Sequence, residues 1–184
     1  MQRAVVAGIF VGGSGTRMGG RRKDLLRTAS GETLRDRWVR LFTEAGIPWV
    51  FVGGGEPGAL ADEGVAAGPL GGLAALLAHA GDRRAVSVAC DMPFVSRELL
   101  ERLVAAPVAP VVAPRRDGRW EPFFAVWDSR TALPIVRARL AAAQLSLQGA
   151  LDALGATELP TSDDEAALLF DWDTPEDVDS RRGS

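Results

Sequence analysis

Two apolar patterns alternate along the first half of the chain. Ala4 to Val11 and Ala85 to Cys90 are continuous apolar runs with no in/out alternation, the pattern of strands covered on both faces of a parallel sheet. Pro48 to Val52 is a shorter run of the same kind. Between them the period changes. From about Glu32 to Ala45, Leu34, Trp38, Leu41, Phe42 and Ala45 recur at helical spacing and predict one buried stripe. Gly68-Pro-Leu-Gly-Gly72 opens a second helix, with Pro69 suited to the first turn and Leu73, Leu76, Leu77 and Ala80 on the apolar face. Strand alternating with helix predicts an α/β, doubly wound sheet.

The second half is less regular. Val108 to Ala113 and Trp120 to Trp127 read as strands of a hairpin around Arg115-Arg-Asp-Gly118, where Asp-Gly is a turn signal. Ser129 and Ser146 are expected to cap two further helices, and Leu168 to Trp172 to form a last short strand. Thr174-Pro175-Glu-Asp predicts a terminal helix, with a capping threonine, proline at the first position and acids at the dipole's positive end.

Composition narrows the function. The 184 residues are 47% apolar and 24% charged, enough for one self-folding domain spanning residues 1–184. A net charge of -3 gives no overall pull toward nucleic acid or an anionic membrane. One cysteine, Cys90, and one histidine, His79, supply neither a disulfide framework nor a typical zinc site, so any metal must take hard oxygen ligands. Cys90 reads as a small buried hydrophobe and His79 as a partner for a helix C-terminus. The first apolar run is too short to span a membrane, and no cleavage pattern follows it; a cytoplasmic location is the expectation.

Candidate chemistry gathers in the loops after the apolar runs, where a parallel sheet presents ligands. Gly12-Gly-Ser-Gly-Thr-Arg-Met-Gly-Gly20 can bring backbone N–H groups to an anion, while Arg17 and Lys23 add positive charge beside it. The spacing fits neither the dinucleotide fingerprint, which needs a third glycine where Met18 stands, nor the P-loop, which needs Lys-Ser/Thr where Arg21 stands. A glycine-rich turn with no ligand is the plainer alternative, against which the preceding buried strand and following cations weigh. Asp91 ends a buried run, where position alone fits a metal ligand as well as an N-cap or ion-pair partner. Asp171 and Asp173 end the last expected strand on one face, so a carboxylate from each edge could share one Mg²⁺. Trp38, Trp49 and Trp127 read as core; Trp120 and Trp172 flank the expected cleft, with core packing the favoured role for them too.

Several segments together, in order and over nearly the whole length, resemble the molybdenum cofactor guanylyltransferase-like (MobA-like) nucleotidyltransferases. They are Gly12 to Leu26, Gly68-Pro-Leu-Gly-Gly72, Cys90-Asp-Met-Pro-Phe94, Glu121-Pro-Phe-Phe-Ala125 and Asp173-Thr-Pro-Glu-Asp177. The resemblance implies a three-layer α/β/α fold with a mostly parallel sheet and transfer of GMP from GTP to the terminal phosphate of molybdopterin, releasing pyrophosphate, with Mg²⁺ as cofactor. It implies that Gly12, Gly13, Gly15 and Arg17 hold the triphosphate, that Lys23 stabilises charge around the α-phosphate, and that Asp62, Gly68 and Pro69 belong to the nucleotide-binding segment. It gives Asp91 and Asp173 to the metal. The sequence departs from the family in Phe10-Val11, in acids at 171 and 173 where asparagine is common, and in Gly53-Gly54-Gly55, which replaces a polar segment tied to guanine recognition. A relative using CTP or another triphosphate or acceptor, and a non-catalytic cofactor- or nucleotide-binding protein, are the alternatives. Homo-oligomers and transient contacts with molybdenum-cofactor proteins stay open as partners.

Overall fold

The computed structural model describes residues 4–11, 23–28, 30–55, 57–64 and 68–172. Gly12, Gly13, Gly15, Arg17 and Asp173, together with the helix expected from Thr174, lie outside the described residues.

The continuous apolar runs form the centre of the sheet. β1 (Val5–Phe10) pairs in parallel with β2 (Trp49–Val52) on one side and β3 (Arg84–Ala89) on the other. Beyond β3 come β7 (Phe124–Asp128), β4 (Val111–Ala113) and β8 (Thr157–Glu158), giving the order β2-β1-β3-β7-β4-β8 among the described residues. β7 runs antiparallel to both of its neighbours, while β8 is parallel to β4. The expected hairpin is therefore β4 with β7. Its connection carries a small arm of its own, β5 (Arg115–Arg116) and β6 (Arg119–Trp120), turned at Asp117 and Gly118, both with positive φ.

Helices cover both faces. Val6 and Phe10 point to α2 (Gly68–Ala80), α4 (Ser129–Ala141) and α5 (Leu147–Ala153), where Leu73, Leu76, Leu77, Val136 and Leu151 are buried. Ala7 and Ile9 point to α1 (Leu34–Glu44) and α3 (Arg97–Val104), where Trp38, Phe42, Leu99, Leu100 and Leu103 are buried. Each large side chain in these layers contributes about 1.5–3 kcal/mol through burial. The architecture is three-layer α/β/α. No helix among the described residues is long and apolar enough to cross a membrane.

Two features let the layers approach. A Cβ on Gly8 would lie 2.6 Å from Leu76 Cδ2, so β1 carries glycine where α2 crosses it. Arg84, wholly buried at the start of β3, donates to the carbonyls of Val104, Ala106 and Pro107 and so closes the C-terminal end of α3.

Some expectations change. Asp128, not Ser129, caps α4, accepting from Thr131 N at 3.1 Å, and Ser129 is the first helical residue. Ser146 caps α5 as expected. Leu168 to Trp172 is not a strand: α6 (Asp163–Ala167) ends in a turn there, with Leu168 and Leu169 N–H groups bonded back to Glu165 and Ala166. Without a strand over 168–172, no in/out alternation sets the direction of Asp171.

Candidate functional site

The C-terminal rim of β1, β2 and β3 is built from the residues that follow these strands. Val11 N–H bonds to the Val52 carbonyl, and Cys90 N–H to the Phe10 carbonyl, so the three strands stay in register up to Val11. Asp91 is the next residue after Cys90. It emerges half-buried beside the end of β1, while Cys90, Met92 and Val95 pack under it.

Lys23 reaches Asp91 from a different part of the chain. A short 3₁₀ turn, Lys23–Leu25, is fixed to α1 in three ways: Leu34 N–H bonds to the Leu26 carbonyl, Arg27 bridges Thr33, and buried Asp24 lies 3.8 Å from Arg35. Thr33 then caps α1 by accepting from Asp36 N. From this turn Lys23 Nζ donates to Asp91 Oδ2 at 3.0 Å, with the two side chains 22% and 17% exposed, so the pair faces an opening and is shielded from bulk solvent on its other sides.

A third segment closes on the same point. Trp172 N–H donates to the Asp91 carbonyl at 2.9 Å. The Trp172 ring is buried against Leu34, Leu26 and Phe94, the last edge-on at 5.9 Å, so its role is packing. Trp172 is therefore the pin that carries the chain to Asp91 one residue before Asp173. Asp171 Oδ2 lies 3.8 Å from Arg116 Nη2, and Arg116 Nε is 2.8 Å from Glu121 Oε1. Burial raises the Glu121 carboxyl above its ordinary range, and Arg116 opposes that rise. Burial also pushes the Cys90 thiol far up, with the Asp91 charge adding to the effect, which makes Cys90 a poor nucleophile.

On the other side of the end of β1 stand Asp62 and the start of α2. A Cβ on Gly72 would lie 3.1 Å from Asp62 Oδ1 and 2.9 Å from both Phe10 Cε1 and Val52 Cγ1, which locates the Asp62 carboxylate directly over the β1–β2 rim. Gly68 and Pro69 open α2 beside it and are exposed. Gly53, Gly54 and Gly55, all at positive φ, follow β2 without contributing side chains of their own. A Cβ on Gly54 would lie 2.8 Å from Val11 Cγ2.

Lys23 and Asp91 are thus brought into contact, and Asp62, Gly68 and Pro69 gather across the end of β1 from them. Asp171 is held by Arg116 instead of facing Asp91 as a strand residue. Among the described residues no three His, Cys, Asp or Glu side chains form a metal-sized group. Sequence reasoning missed Arg116, because an arginine in an Asp-Gly turn reads as solvated; the burial of its partner Glu121 is not visible in a local pattern.

The MobA-like NTP transferase domain model matches residues 7–159. The chain belongs to the MobA-like NTP transferase family. Its relatives include a Pseudomonas putida molybdenum cofactor guanylyltransferase, 36% identical over 91% of this chain and 92% of that protein. One from Xanthomonas euvesicatoria with the same name is 32% identical over 96% and 93%. Among solved structures, molybdopterin-guanine dinucleotide biosynthesis protein A from Archaeoglobus fulgidus superposes with a TM-score of 0.75 at 25% identity, covering 97% of each chain. A 2-C-methyl-D-erythritol 4-phosphate cytidylyltransferase from Thermus thermophilus shares the fold at a TM-score of 0.67 and 20% identity, covering 100% of this chain and 98% of that one. As a family member the chain is a nucleotidyltransferase.

Proposed function

We propose that this chain, acting as one catalytic domain, transfers GMP from GTP to the terminal phosphate of molybdopterin with release of pyrophosphate. The observation that carries the reading is the Lys23–Asp91 pair at the end of the central strand, in a chain whose relatives bear the name molybdenum cofactor guanylyltransferase.

An oxygen of the acceptor phosphate attacks the α-phosphorus of the triphosphate, and the bond from that phosphorus to the oxygen bridging to the β-phosphate breaks. Pyrophosphate leaves with the bonding electrons. Both reactants are anions, so the barrier is set by charge repulsion and alignment, and no protein nucleophile is required. Gly12, Gly13, Gly15 and Arg17 are proposed to hold the β- and γ-phosphates. Lys23 turns its ammonium from Asp91 to the α-phosphate and the departing oxygen. Asp62, Gly68 and Pro69 border the nucleoside across the end of β1.

The residues fit a divalent ion of the Mg²⁺ type. Asp91 already holds a cation, the Lys23 ammonium, against one carboxylate oxygen, and a carboxylate is the hard oxygen donor such an ion takes. Asp91 would hold the metal together with Asp173, and the metal would neutralise phosphate charge in the transition state.

The test is pyrophosphate release with GTP, CTP, ATP and UTP, each with molybdopterin and Mg²⁺. GTP is expected to dominate. A clear preference for CTP removes the guanylyl assignment, a result to which the side-chain-free Gly53-Gly54-Gly55 edge lends weight; no release with any triphosphate points to a binding protein.

A further inference from the structure

The β5–β6 arm is fastened at both of its faces. On one, Trp120 donates its N–H to Gln148 Oε1, accepts from Gln148 Nε2 through its carbonyl, and donates from its indole to Asp152 Oδ1, which ties the arm to α5. Arg115 lies over the same indole at 3.9 Å. On the other, Arg116 points toward the turn after α6. Its Nη1 donates to the Leu169 carbonyl at 3.2 Å, its Nη2 lies 3.8 Å from Asp171 Oδ2, and its guanidinium lies 5.9 Å from the centre of the Phe170 ring. Glu121 holds the guanidinium from behind at 2.8 Å, and is itself fixed by its N–H to the Pro114 carbonyl and by its carbonyl to Phe124 N–H.

Leu169 to Asp171 form no ladder with any described strand; Leu169 is anchored by its burial and by its N–H to the Ala166 carbonyl, and Arg116 adds a side-chain grip from the arm. The segment ends at Trp172, whose N–H meets the Asp91 carbonyl. We propose that Arg116 is a positioning residue for residues 169–172: by gripping Leu169 and Asp171 from the β5–β6 arm, with Glu121 as its backstop, it sets where the chain arrives at Asp91. Planar, five-donor arginine suits this task because it serves a carbonyl and two carboxylates at once, which a lysine ammonium on a flexible stem does less well. That this placement also serves a divalent metal at Asp91 rests on the function proposed above; the tether does not.

The test uses the full-length protein as wild type, Arg116→Ala, Arg116→Lys and Glu121→Gln. Peptide-level hydrogen exchange over 169–172 is expected to speed at least about tenfold in Arg116→Ala and less in Arg116→Lys and Glu121→Gln, with peptides from β1 and β3 unchanged. Binding of Mn²⁺ alone, followed by electron paramagnetic resonance, is expected to weaken in the same order. Unchanged exchange over 169–172 in Arg116→Ala and Glu121→Gln overturns the assignment; if Arg116→Ala does not fold, Glu121→Gln and Arg116→Lys decide. Faster exchange with wild-type Mn²⁺ affinity overturns the link to the metal. Asp91→Asn separates the two readings: Mn²⁺ binding that survives it removes the metal reading, while the exchange comparison still judges the tether.

Discussion

Lys23 and Asp91, 68 residues apart in sequence, form an ion pair at 3.0 Å beside the end of the central strand. In this arrangement a lysine occupies one oxygen of the carboxylate assigned to the metal. A divalent cation must therefore compete with the ammonium until phosphate draws it away, so triphosphate and metal are expected to bind cooperatively. Lys23→Met should bind Mn²⁺ several-fold more tightly than wild type in the absence of nucleotide. The same variant should lose about 10²–10³ in kcat, the scale for removing one transition-state donor. Tighter metal binding with slower turnover is the signature; weaker metal binding in Lys23→Met would contradict it.

Asp91→Asn should lose at least about 10³ in turnover, because the amide supplies no charge to a cation. Its urea midpoint should stay within reach of wild type, since the side chain lies at an opening. A variant that keeps most of its turnover at saturating Mg²⁺ would refute the role given to Asp91.

Gly8→Ala and Gly72→Ala separate packing from function. The first drives a methyl into Leu76 at 2.6 Å in the β1–α2 layer and should cost about 1–3 kcal/mol, read from urea unfolding. The second also meets Asp62 Oδ1 at 3.1 Å, so it should raise KM for the nucleotide in addition to lowering stability. Equal KM values for the two variants would argue against Asp62 at the nucleotide.

Arg84→Ala removes a fully buried guanidinium and the donors it gives to the carbonyls of Val104, Ala106 and Pro107. The expected loss is about 3 kcal/mol or more, given that charged hydrogen bonds contribute about 1.5–3 kcal/mol and unsatisfied acceptors add to the cost. Hydrogen exchange should localise the damage to the end of α3.

Glu121 titrates above its ordinary range because burial disfavours its charge, while Arg116 pulls the other way and Asp117 and Arg119 act more weakly. A carboxyl whose folded pKa is raised makes the folded state hold its proton longer, so its contribution to stability falls as pH rises from the unfolded value through the folded one. Glu121→Gln should flatten that decline on the alkaline side of the ordinary glutamate range. Arg116→Ala should push the carboxyl higher still, measurable by carbon NMR titration.

The parts of the fold that were legible in the sequence are those with a repeating local cause. The continuous runs of β1 and β3 and the Leu34, Trp38, Leu41, Phe42 stripe of α1 could be read because burial on two faces or one imposes a period. α3 escaped notice although Ser96 caps it and Leu99, Leu100 and Leu103 line its inner face, since it is only eight residues long and follows a proline turn. β8 spans two exposed residues and leaves no pattern. Leu168 to Trp172 reads as a strand because it is a short, largely apolar run, but Leu169 packs against the α1–α3 face and Trp172 against Leu34, with no described strand beside them. At the site, the charges of Lys23 and Asp91 were visible individually. Their contact, and that of Arg116 with Glu121 and Asp171, depends on chain crossings that no local spacing encodes.

Cys90 gives this rim a reporter of its own. It is the chain's sole thiol, buried next to Asp91 and held protonated by its surroundings. Because Cys90 is buried, a thiol-reactive dye should modify it slowly and at a speed that rises with opening of the rim around it, without any engineered probe. Ligands that clamp the neighbouring carboxylate should slow that labelling, which offers a way to rank candidate triphosphates before any acceptor has been isolated.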